Sequence, residues 1–203
     1  MYAIVEDNEI TKIITNPKSM VIGDVNYPAK IFSVWSQSEL NAIGIYEVIT
    51  DSTNFKDQAY YINTNEEYNF ADNQVTRSWG TATPKRLEDE DAVDQDGENI
   101  LDDDGNQVIN YGLKTEKKRI VKQQASGLLA PTDWYVIKAI EVADYNVPEN
   151  VTTFRTDVRT KSNEMETQID ACTNVDELKA LYEYTTQEDG TQTRPLAKFP
   201  EEI

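Results

Sequence analysis

The sequence predicts an α+β protein with its β and α parts separate along the chain. Three observations carry that reading. Up to residue 80, short runs of β-branched and aromatic residues alternate with turn residues. Past Gly112, apolar residues recur about every three and a half positions, the helical period. Between these regions, Glu88 to Asp104 carries ten carboxylates and no positive side chain. The division expected is a β-rich docking module at 1–80, an acidic linker or ribbon at 81–112, a helical module at 113–184 and an extended tail at 185–203.

The β module is expected to be mostly antiparallel. Tyr2–Val5 and Ile10–Thr15 flank the turn-rich Glu6–Glu9 and predict a hairpin. Met20–Gly23 and Ala29–Phe32, bracketing Asp24–Pro28, predict a second pair. Ser36-Gln-Ser-Glu39 is a capping-box sequence that opens a short helix, which Gly44 ends in the left-handed conformation. Strands are then expected at Ile45–Thr50, Gln58–Asn63, Glu67–Phe70 and Gln74–Trp79, with a tight turn at Ala71–Asn73. Trp35 and Trp79 fall in this module.

Within the acidic stretch, Asp96-Gly-Glu-Asn-Ile100 is echoed eight residues later by Asp104-Gly-Asn-Gln-Val108. Each is an Asp-Gly turn followed by a brief extended piece, which predicts a projecting hairpin or ribbon. The carboxylates do not fit an EF-hand. Placing Gly97 at loop position 6 puts Ala92 at position 1 and Asp103 at position 12, and placing Gly105 there gives Ile100 and Tyr111. The expectation is a solvated acidic excursion without a metal, the alternative being weak calcium binding.

A helix is expected from Leu113 to Leu129, with Leu113, Ile120, Gln124 and Leu128 along one face. Its five cations, Lys114, Lys117, Lys118, Arg119 and Lys122, are expected to neutralise carboxylates of this chain or of another subunit. Pro131–Asp133 interrupts the helix, and Trp134–Val142 follows as a second apolar segment, helix preferred to buried strand. Pro148 starts a long helix to Ala171 with Val151, Phe154, Val158, Met165, Ile169 and Cys172 on one stripe. Packing inside one subunit is the first reading of that stripe, and a coiled-coil seam in a homo-oligomer is the second, weakened by Lys161 and Gln168 at partner positions. A short last helix begins at Asn174–Glu177, carrying Leu178 and Leu181.

Composition narrows function. The net charge is −18 over 203 residues, which repels phosphate backbones and anionic lipid surfaces alike. Neither nucleic acid nor membrane is expected as a partner, and neither a signal peptide nor a membrane span is expected. There is no histidine and a single cysteine, Cys172, so the commonest general base and the usual zinc sets are missing. With no phosphate-binding glycine loop either, the chain is not expected to be an enzyme or to use a cofactor.

Leu128-Leu-Ala-Pro-Thr-Asp-Trp134, followed by Val147-Pro-Glu-Asn-Val-Thr-Thr-Phe-Arg-Thr-Asp-Val-Arg159, resembles the tail and tail-fibre assembly chaperone domains of tailed bacteriophages. The likeness covers about residues 113–184. Ser38-Glu-Leu-Asn-Ala-Ile-Gly-Ile-Tyr46 adds a likeness to virion and tail-fibre-associated proteins of phages of marine bacteria. The resemblance implies a non-enzymatic structural protein of a tail, tail fibre or baseplate, located in the virion and assembled in the host cytoplasm. Its partners would be other tail or fibre proteins. A non-virion assembly chaperone is the alternative, and an acidic anti-host or regulatory protein the next. Physically, Trp134 is an amphipathic anchor at a helix corner, Asp133 is placed to cap the segment after it, and Arg155 and Arg159 are placed to clamp carboxylates in the fold or in a partner. Trp134, Arg155, Arg159, Trp35 and Trp79 are the candidate partner-binding residues; packing and internal pairing are their competing role.

Overall fold

In the computed structural model, which describes residues 1–202, β1 (Tyr2–Glu6) and β2 (Glu9–Ile14) form the expected hairpin. Asp7 and Asn8 both take positive φ there, the backbone that a two-residue turn between twisted strands requires. β3 (Met20–Ile22) and β4 (Val25–Tyr27) make a second hairpin around Gly23-Asp24, a tighter turn than the expected Asp24–Pro28. Residues 29–32, expected to pair with β3, do not. Pro28 has no amide to continue a ladder, and the chain instead turns into α1 (Ile31–Val34), which buries Ile31.

α2 (Gln37–Asn41) carries the predicted capping box, with Ser36 accepting from the Glu39 amide and Glu39 from the Ser36 amide. Gly44 closes it at φ +80, where an added Cβ would meet the Val5 carbonyl oxygen at 2.7 Å. That close approach lets the Val5 amide donate to the Gly44 carbonyl, leading into β5 (Ile45–Thr50). β6 (Tyr61–Ile62) is much shorter than predicted. The Asp57 carboxylate accepts from the Ala59 amide and its carbonyl from Tyr60 and Tyr61, a side-chain-seeded turn that withdraws residues 58–60 from extended structure. β7 (Glu67–Ala71) and β8 (Gln74–Ser78) pair as predicted around Asp72-Asn73, and β9 (Thr83–Pro84) pairs with β6.

The main sheet runs β2-β1-β5-β8-β7. It is antiparallel except at β5 and β8, which are parallel because the chain crosses over through β6 and β7 before returning. β1 is buried on both faces. Ile4 joins Ile14, Met20, Ile31, Leu40 and Ile45 on one side, while Ala3 and Val5 join Val48 and Val75 on the other. The sheet curls over the second cluster until its edge strands β2 and β7 approach each other. The first compact unit is Met1–Pro84.

The second unit begins at Lys85 and therefore includes the acidic segment. β10 (Glu90–Asp91) pairs with β11 (Ile109–Asn110) at the base of a folded ribbon. α3 (Leu113–Leu129) matches its predicted span, but its buried stripe is Val121 and Ala125, with Leu128 partly buried, while Ile120 is exposed. The face is rotated because the stems of Lys114, Lys117 and Lys118 share the inward side, aliphatic cover that a count of apolar residues misses. A 3-10 turn at Ala130–Thr132 leads into α4 (Asp133–Glu141). α5 (Glu149–Ala171) buries all the predicted stripe that lies within it, and Cys172 just past its end is buried too. The stripe is thus spent on internal packing against α3 and the chain end, where Phe199 joins Ala125, Phe154 and Val158, and offers no intersubunit seam.

α6 (Val175–Ala180) begins where predicted, with Asn174 as its N-cap accepting from the Glu177 amide. The tail is more structured than expected. β12 (Thr185–Thr186) and β13 (Gln192–Thr193) form a hairpin. Leu196 is buried, and the Gln168 amide both donates to the Pro195 carbonyl and accepts from the Ala197 amide.

Candidate protein-docking surface

Three cations of α3 pair with carboxylates outside it: Lys114 with Glu88, Lys118 with Asp170 at 2.7 Å and Lys122 with Glu166 at 3.2 Å. Arg119 pairs with Glu116 on the helix itself, and the Lys117 ammonium lies over the Tyr182 ring. The hydrogen bond that Lys118 donates to the Asp170 carboxylate raises the lysine pKa above its ordinary value. The expected internal neutralisation is therefore present, with Lys114 reaching into the acidic stretch.

That stretch is built, not loose. The Ile100 amide donates to the Ala92 carbonyl (2.9 Å), Val108 to Ile100 (2.8 Å) and Ala92 to Val108 (2.8 Å), a closed triangle of residues eight apart. Each eight-residue unit is turned by one aspartate. Asp94 accepts the amides of Asp96 and Glu98, and Asp102 those of Asp104 and Asn106. Those bonds, the backbone bond from Asn106 foremost, hold the Asp102 pKa below the ordinary carboxylate range. Gly97 and Gly105 take matching φ values of +84 and +82, and Gln107 donates to the carbonyls of Ala92 and Val108. At the base, Asp89 accepts from the Gly112 amide and the Thr115 hydroxyl at the start of α3, where a carboxylate is favoured by the helix dipole. Among the described residues, no group of three or more acidic, cysteine or histidine side chains is placed to hold a metal ion.

The five residues singled out from sequence are scattered and differ in role. Trp35 is half-buried, edge-on to Tyr27 beside the first core cluster. Trp79 stacks near Phe55 and under the Arg77 guanidinium, 4.5 Å away. Arg155 is buried and spent within the chain. It donates to the Leu129 carbonyl (3.0 Å) and the Thr132 hydroxyl (2.6 Å) and pairs with Asp133 (2.8 Å). That clamp closes the end of α3 and fixes where α4 starts, which removes Arg155 from any docking face. Asp133 is correspondingly a clamp partner inside the first turn of α4; the N-cap position is Thr132, with no side-chain cap. Arg159 is exposed and donates to the Arg155 carbonyl. Trp134 is exposed, on α4.

α4 is the outstanding surface of the molecule. None of its nine residues is buried. Trp134, Ile137 and Ile140 recur three residues apart with 49%, 54% and 81% of their area exposed, and Val142 beyond the helix is exposed too. A helix this short is marginal by itself, and this one turns its apolar ridge outward rather than onto a core. Sequence reasoning found Trp134 but missed Ile137 and Ile140. The signal was there, in that apolar residues occur on all sides of Trp134–Val142 while no facing apolar segment is left to cover them.

Around this ridge the charges are mostly negative. The Lys138 ammonium lies 4.4 Å from the Tyr145 ring centre and 5.8 Å from that of Trp134, while Glu141 and Asp144 are exposed. The grooves found among the described residues are shallow, and the buried Cys172 thiol donates to the Gln168 carbonyl with its pKa raised by burial. Comparison with protein-family models, curated proteins and solved structures gives no match to this chain.

Proposed function

We propose that this protein is a non-enzymatic structural component of a phage tail, tail fibre or baseplate, working through contacts with other tail or fibre proteins. The single observation that carries protein binding is α4, an apolar ridge with Ile140 at 81% exposure on a helix with no buried residue. Contiguous exposed apolar surface of this kind marks interaction sites in folded proteins. The phage setting rests on the resemblance in residues 113–184 and 38–46.

The absence of histidine and the inert environment of Cys172 support a role without bond-making chemistry. The net charge of −18 argues against nucleic-acid and membrane partners. Mass spectrometry of purified virions tests the reading. Peptides of this chain are expected at a fixed ratio to known tail proteins. Their absence from particles, with the protein recovered on unassembled fibre or tail protein, replaces the structural role with that of an assembly chaperone. Capture of a host nucleic-acid-binding protein in place of any tail protein replaces both with an anti-host role.

A further inference from the structure

We infer that α4 docks an amphipathic helix of another protein whose apolar stripe is flanked by lysine or arginine; the inference rests on the docking role proposed above and names the chemistry of the partner. Trp134, Ile137 and Ile140 form a ridge along one side of α4, and ridges of side chains three apart seat in the grooves of a facing helix. Nine residues span about 13 Å at 1.5 Å per residue, a length matched by two to three turns of a partner.

The charges select which helix. Lys138 is held between two aromatic rings, so its charge is partly satisfied within the surface. Glu141, one helical turn along α4 from Ile137, and Asp144, just past the helix, are exposed. The whole chain carries −18, which opposes a second copy of itself and favours a cationic partner, steering the encounter over a Debye length of about 8 Å at physiological salt. An apolar ridge alone would accept any greasy segment. With an acidic rim it discriminates by repulsion as well as attraction.

The test uses the full chain and defined probes: an amphipathic leucine–lysine peptide of about 18 residues with helical spacing, a scrambled peptide of the same composition, and a leucine–glutamate counterpart. Binding of the leucine–lysine probe is expected, weakening with salt, with the scrambled probe and the leucine–glutamate probe at least about tenfold weaker. Ile140→Asp is expected to weaken the leucine–lysine probe by about tenfold or more although it adds a negative charge, so attraction to the ribbon carboxylates alone would survive it. Glu141→Lys with Asp144→Lys is expected to shift preference toward the leucine–glutamate probe. Equal binding of all three probes, or undiminished binding by Ile140→Asp, overturns the inference. So does a wild-type dimer that Ile140→Asp dissociates, because a second copy would then be the occupant. If the probes fail while Ile140→Asp still lowers recovery of the protein with particles, the partner chemistry falls and the docking role stands; if Ile140→Asp changes neither, the docking role falls as well.

Discussion

The acidic ribbon and α4 lie in the same half of the chain and are both exposed, yet they reach that state by opposite routes. The ribbon is among the most polar stretches of the sequence. Its backbone amides are nonetheless met internally, by the Ala92–Ile100–Val108 triangle and by the carboxylates of Asp94 and Asp102. α4 has its own helical hydrogen bonds and an exposed apolar ridge, with none of its residues buried. The lesson is that polarity and order are separate questions. A carboxylate-rich segment is ordered here because each turn aspartate accepts two amides, and an apolar helix is left open because its neighbours are clamped at its start rather than packed along its side.

The comparison breaks most severely at the ribbon's base. A Cβ on Gly112 would run into the backbone of Leu87 and Glu88, so Gly112→Val is expected to destabilise the second unit by about 3 kcal/mol or more, read as a lowered melting temperature. An unchanged melt would mean that the ribbon is not seated against α3. Next, Arg155→Met removes charged hydrogen bonds to Leu129 and Thr132 and the pair with Asp133, an expected loss of about 2 kcal/mol. Proteolysis near residue 130 should rise with it, and α4 should lose its fixed exit direction.

A smaller effect follows pH. Asp102 and Glu177 have pKa values lowered chiefly by backbone hydrogen bonds, from Asn106 and Thr173 respectively. A carboxylate with a lowered folded pKa contributes stability that is full above its unfolded value and fades as pH falls through the folded one. Thermal stability should therefore decline as pH drops below about 4, with amide protection in the ribbon falling first. Ribbon protection that does not change in acid would contradict the role given to Asp102. The smallest effect sharpens the contrast. Ile140→Asp is expected to change stability by no more than about 0.5 kcal/mol, because an 81% exposed side chain has little packing to lose.

Much of this fold was legible in the sequence for identifiable reasons. Ser36 and Glu39, Asp72 and Asn73, Asn174, and the stripe from Val151 to Cys172 are local signals whose chemistry leaves few alternatives. The fold class followed from the change of period along the chain, and the span of α3 from the apolar recurrence that begins after Gly112 and stops at Pro131. What escaped was decided by non-local contact. The parallel pairing of β5 with β8, the inward lysine stems of α3 and the burial of Arg155 all depend on what comes to lie opposite. The docking ridge was half legible. Trp134 is conspicuous by type, whereas Ile137 and Ile140 look like core residues until the rest of the core proves complete without them. The ribbon's eight-residue echo was visible as two turns, but its closure needed Val108 to return to Ala92.

Hydrogen exchange across residues 133–142, measured in the free protein and again in purified particles, tests the docking claim most directly. Exchange of these amides should be rapid in the free chain, since a nine-residue helix with no buried residue protects them little, and should slow by at least about tenfold in the particle, while the Ala92, Ile100 and Val108 amides are protected in both. Equal exchange of 133–142 in the two states would contradict the account, and so would strong protection already present in the free protein.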